Sequence, residues 1–121
     1  MAGTGTGRGV EGFIASLAAH GITAVVDGPA VVYDLAAVSG ELAGQTVRTG
    51  VSVSELEPWP VGAPHWIHFP ENVMVSPTNV DATDCLPGWK RHSRNVERWV
   101  AAPDPGGAWL GHVRGVIADA A

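Results

Sequence analysis

The chain has 121 residues, a net charge of −5, 45% hydrophobic and 16% charged residues, and one cysteine. That length suits one domain, the acidic balance argues against a general nucleic-acid binder, and a single cysteine excludes an internal disulfide framework and fits a reducing, cytoplasmic setting. No run approaches the roughly 18 apolar residues that a bilayer-spanning helix needs, and the first ten residues have no apolar signal core.

The opening "MAGTGTGRGV" alternates glycine with Thr and Arg, which suggests a phosphate loop. Its spacing is not G-x-G-x-x-G, no strand precedes it and no G-K-[ST] follows, so residues 1–9 read as a flexible tail and 10–121 as a single domain. Val10, Phe13, Ile14, Leu17 and Ala18 then fall on one stripe of helical period, and Gly21 is a natural stop, so a helix is expected over 10–20. Two β-branched runs, "ITAVV" and "VVYDLAAV", flank an Asp27-Gly28-Pro29 turn and predict a hairpin. In "QTVRTGVSVSE" Val47, Thr49, Val51 and Val53 alternate with Arg48, Gly50, Ser52 and Ser54, the pattern of a half-buried strand. "LEPWPVGAP" holds three prolines and cannot be regular structure. It leads into "HWIHF", a fourth strand, in which Trp66 or Ile67 should face the core.

After Phe69 the pattern is lost. "PENVMVSPTNVDATDCLPGW" has little periodicity, and an irregular stretch of that length in a compact domain often marks function. The end is clearer: Leu110, Val113 and Ile117 form a stripe bordered by Trp109 and Val116, which predicts a last helix of about three turns. The fold class is therefore α+β: an N-terminal helix on one face of a four-stranded antiparallel meander, a long loop carrying the cysteine, and a C-terminal helix.

The order of these elements, together with several short motifs, resembles the ubiquitin-conjugating enzymes, in particular their shorter prokaryotic branch. In "PWPVGAPHWIHF" an aromatic-Pro pair, Trp59-Pro60, precedes Pro64 and the fourth strand, as the family's Tyr-Pro and Pro-Pro do. In "SPTNVDATDCL" Pro77, Asn79, Cys85 and Leu86 follow the order of the family's His-Pro-Asn and Cys-Leu, and Trp89 stands where a tryptophan is usual. Ser76 replaces the motif histidine, Thr78 separates Pro77 from Asn79, and the last two helices of larger members have no counterpart. The resemblance implies that Cys85 accepts the C-terminal carboxyl of a ubiquitin-like carrier as a thioester, delivered by an activating enzyme, and that an amine then takes it; no cofactor is implied. An inactive scaffold module with the same fold is the alternative.

Such a transfer needs an accessible sulfur, an oxyanion donor and a surface for the carrier. Cys85 is the candidate nucleophile, although a free cysteine is also often just a small buried hydrophobe. Asn79 is the candidate amide donor, or a turn former. Asp81 and Asp84 disfavour a thiolate, while Lys90, Arg91, Arg94 and Arg98 favour one. Asp81 and Asp84 are also candidates to help deprotonate an incoming lysine, and the basic run is either a contact for the carrier or a solvated face. His65, His68, Cys85 and His92 are zinc-type ligands, but two residues three apart on a strand point to opposite faces, so no metal site is expected.

Overall fold

The computed structural model describes residues 7–75, 78–96, 99 and 103–121. Ser76, Pro77 and Arg98, named above, lie outside the described residues, as does most of the glycine-rich opening. Two helices pack on one face of a six-stranded antiparallel sheet of order β1-β2-β3-β4-β6-β5. Helix α1 spans Gly9–Ala18; β1, β2, β3 and β4 span Val25–Asp27, Ala30–Ala36, Thr46–Ser52 and Trp66–Pro70; β5 and β6 span Val80–Asp81 and Trp89–Ser93; α2 spans Pro105–Ala118. The α+β class, the first helix, the meander and the last helix follow the sequence pattern. The expected strand count does not: there are six strands, because "WKRHS" pairs with β4 along its full length and carries β5 on its outer edge.

Each helix has a local reason for its ends. The N–H of Gly9 donates to the Trp59 carbonyl at 3.0 Å, tying the start of α1 to the proline-rich turn. Gly21, at φ 76°, turns the chain out of the helix, and the N–H of Ile22 returns to the Leu17 carbonyl. At α2 the carboxylate of Asp104 accepts from the N–H of Gly107 at 3.0 Å, with Pro105 in the first turn, where its missing N–H costs nothing.

The core lies between helices and sheet. Phe13 and Leu17 of α1 and Trp109, Leu110, Val113 and Ile117 of α2 are buried against Val31, Tyr33, Leu35, Val47, Val51, Ile67 and Phe69 of the strands. Phe13 meets Tyr33, Trp59 and Trp109 edge-on, with centroids 5.0–6.3 Å apart. The indole N–H of Trp109 donates to the Tyr33 hydroxyl at 2.9 Å, so both polar tips are satisfied inside an apolar cluster. Full burial of each large apolar side chain contributes about 1.5–3 kcal/mol, which fixes the sheet's helix-facing side firmly.

The opposite side is not simply wet. Gly50 and Ser52 on β3 were expected to face solvent, yet both are buried, as is Val32 on β2. The segment 82–88 between β5 and β6 folds back over them: the Leu86 side chain lies against Gly28, and Asp84 accepts from the Ser54 hydroxyl at 3.4 Å. This segment carries Cys85. No helix of the described residues is long and apolar enough to cross a membrane.

Candidate functional site

Cross-strand register builds the site. Val32 pairs with Gly50, Gly50 with His68, His68 with Arg91, and Arg91 with Asp81, so one row of side chains crosses the sheet on the face away from the helices. Alternation sends Ile67 and Phe69 of β4 into the core and leaves Trp66 and His68 on that face. The carboxylate of Glu55 accepts from the N–H groups of His65 and Trp66 at 3.0 and 3.2 Å, which holds the start of β4 in place.

His68 is the centre of the row. Its ring is fully buried, with Nε2 3.1 Å from the hydroxyl of Ser52 and Nδ1 3.7 Å from the sulfur of Cys85. Cys85 as a residue is half-buried, with its sulfur set against the imidazole. The residue before it, Asp84, has φ 57°, a left-handed conformation that Asp tolerates better than most side chains and that turns the chain so that Cys85 faces the sheet. The N–H of Cys85 donates back to the Ala82 carbonyl at 3.2 Å, closing a tight turn.

The electrostatics describe a thiol at rest. Burial pushes the Cys85 thiol upward, Arg91 pulls it down, and Asp81 and Asp84 push it up again. Burial, with the Arg91 charge, pulls His68 down to about 4, against the opposing pull of Asp84 and Asp81, so its ring is neutral near pH 7. Arg91 pairs with Asp81 at 2.6 Å and lies 4.1 Å from the centroid of the Trp66 ring. Asp81 is held down to about 2, first by its hydrogen bond from Arg91 and then by the N–H of Thr83. The arrangement is therefore a neutral thiol–imidazole pair beside a fixed ion pair, and not a preformed thiolate–imidazolium.

The other residues singled out in the sequence take distinct places. Asp84 and Arg91 adjoin Cys85 electrostatically. Trp89 starts β6, half-buried, and its N–H donates to the Leu86 carbonyl at 3.0 Å, closing the far end of the cysteine loop. Lys90 is exposed on β6. Arg94 lies beyond the strand, its guanidinium 3.5 Å from Asp119 at the end of α2. Asn79 is exposed; its N–H donates to the Ser93 hydroxyl and its carbonyl accepts from the Ser93 N–H, and no described hydrogen bond joins it to Cys85 or His68.

Sequence reasoning missed His68 and Ser52 as companions of Cys85. The strand alternation placed Ser52 and Gly50 on the side away from Val47 and Val51, but only the register shows that His68 comes opposite that pair. Among the described residues no group of three or more His, Cys, Asp or Glu side chains is placed to hold a metal ion. His68 and His92 lie on opposite faces of the sheet, His92 stacking near Phe69 at 5.8 Å on the core side. Comparison of the chain with family models, curated proteins and solved structures finds no match in any of the three.

Proposed function

We propose that the chain carries an acyl group as a thioester on Cys85, and that this group is the C-terminal carboxyl of a ubiquitin-like carrier brought by an activating enzyme. The observation that supports this reading is the half-buried Cys85, a residue on a surface loop with its sulfur 3.7 Å from Nδ1 of a fully buried His68 on β4. An incidental thiol needs no such partner. A nucleophile needs an open approach on one side and a fixed polar group on the other.

The chemistry balances without a redox partner or metal. The thiolate of Cys85 attacks the carbonyl carbon of the carrier's existing thioester, a new C–S bond forms, and the old C–S bond breaks. The donor thiolate takes up a proton equivalent to the one that Cys85 lost. An amine then attacks the new thioester, a C–N bond forms, the C–S bond breaks with the sulfur of Cys85 leaving as a thiolate, and the proton shed by the amine nitrogen passes to solvent. Cys85 sits in a segment whose residues 82–84, 87 and 88 are exposed, a position that suits a macromolecular acyl donor.

The test uses a ubiquitin-like carrier supplied as a chemical thioester of mercaptoethanesulfonate, which removes the need for an activating enzyme. Wild type should give an adduct that thiol treatment removes. Cys85→Ala should give none, and Cys85→Ser either none or a thiol-resistant ester. Asn79→Ala should change loading and release by less than threefold, since its described hydrogen bonds are made by the backbone; a hundredfold slower release would make its amide an oxyanion donor, for which about 3–4 kcal/mol is typical. No adduct on folded wild type at any tested pH would leave the non-catalytic scaffold reading in its place.

A further inference from the structure

We infer that Ser52 is a positioning residue: its hydroxyl donates to Nε2 of His68, which leaves the ring's single proton on Nδ1, facing the sulfur of Cys85, so that His68 serves the thiolate as a hydrogen-bond donor and not as a base. The argument is an accounting of protons. Ser52 is fully buried, and the one side-chain hydrogen bond it makes among the described residues is to His68, at 3.1 Å. A buried hydroxyl proton requires an acceptor, and Nε2 is the acceptor within reach. Were the ring proton on Nε2 instead, it would point at the serine oxygen and the hydroxyl proton would be stranded in the interior.

The neutrality of the ring makes this a choice between two tautomers, since an imidazolium would carry both protons. His68 is pulled down to about 4, chiefly by burial. The charged groups facing it are Arg91 from β6, Asp81 from β5 and Asp84 from the segment 82–88. The rest of its row, Gly50 on β3 and Val32 on β2, is uncharged. Among the described residues no hydrogen bond joins the Ser52 hydroxyl to any of these groups.

The tautomer decides what the site can do, on the reading that Cys85 carries an acyl group. An N–H aimed at the sulfur from 3.7 Å steadies the thiolate both when it attacks and when it leaves, and the thiol proton goes to solvent. It does not take a proton from the thiol, and it does not hand one to a poor leaving group. The acyl donor is therefore an already activated one, a thioester, and an amide is left intact. Ser52 holds the place that a carboxylate would need to occupy to turn the pair into a thiolate–imidazolium.

Three measurements on the 121-residue chain test this, and two of them involve no carrier. Long-range nitrogen–proton NMR of the wild-type imidazoles near pH 7 should place the His68 proton on Nδ1; a proton on Nε2 overturns the assignment. Ser52→Asp can only accept, so it should move the proton to Nε2 and let Nδ1 take the thiol proton. Alkylation of Cys85 by iodoacetamide should then rise at least tenfold at pH 6 and gain a limb in the histidine range that wild type lacks. A folded Ser52→Asp protein with the wild-type pH profile overturns the positioning role, and if that variant does not fold the NMR result decides alone. Last, a carrier with an amide-linked fluorophore at its C-terminus should stay intact with wild type, and cleavage overturns the restriction to activated donors. Failure of thioester loading with Nδ1 protonated would sink the transfer reading and leave the tautomer standing.

Discussion

Replacing His68 with Gln removes one buried titratable ring and leaves a side chain that can still bond to Ser52. The consequence is a change in how stability depends on pH. A histidine protonates near 6.5 in the unfolded chain, and His68 does so near 4 in the fold, because burial and Arg91 oppose its charge. Between those values the unfolded chain binds more protons than the native one. Its contribution is therefore fully present above pH 6.5, shrinks as the pH falls, and is lost once the pH passes below 4. The full loss is about 3 kcal/mol, of which about 2 kcal/mol is gone by pH 5. Against the roughly 5–15 kcal/mol that hold a domain of this kind together, that is a visible fraction. Burial also lowers His92 and His112, and both remain in the variant, so their contributions cancel in the difference. Urea unfolding from pH 7.5 to 4.5 measures it. His68→Gln is expected to start less stable and to lose about 2 kcal/mol less than wild type on going to pH 5. Parallel curves, within about 0.5 kcal/mol, would refute the burial of a neutral ring at the centre of the site.

Two further outcomes follow from named contacts. A Cβ added at Gly106 in α2 would collide with the Ser16 carbonyl of α1, so Gly106→Ala should lower the urea unfolding free energy by about 1–3 kcal/mol, the usual cost of forcing volume into a packed contact, and a loss under 0.5 kcal/mol would mean that the two helices do not meet as described. Arg91→Met should slow alkylation of Cys85 near pH 7 several-fold, since Arg91 is the cation that lowers the thiol, whereas Arg94→Ala, whose partner is Asp119, should leave the rate unchanged; equal effects would show that general basic charge, and not the neighbouring guanidinium, acts on the sulfur.

The parts of this fold that can be read from the sequence are those decided within one element. Phe13, Ile14 and Leu17 recur at helical spacing, and Val47, Val51 and their neighbours at strand spacing, because each element must bury one side. β6 escaped that reading for a physical reason. In "WKRHS" the charges of Lys90 and Arg91 mask the alternation, yet Arg91 lies over Trp66 and pairs with Asp81, and His92 is buried against the core. A charged residue that finds its partner on the sheet behaves as an interior residue, and nothing local announces the partner.

The site is decided by the same non-local terms. Cys85 stood out as the only thiol, but a lone thiol in a loop has no assigned chemistry. What supports the proposed one is a histidine 17 positions earlier and a serine 16 positions before that, the serine on the side of its strand opposite Val47 and Val51. Only the pairing of Gly50 with His68 and the folding of 82–88 across that face bring the three together. The buried condition of Ser52 follows from the cover, the direction of its hydroxyl from being buried, and the place of the His68 proton from that direction. The proposed step from a lone thiol to one reserved for activated acyl groups therefore rests on closure of the cysteine loop over a sheet face that local alternation assigns to water.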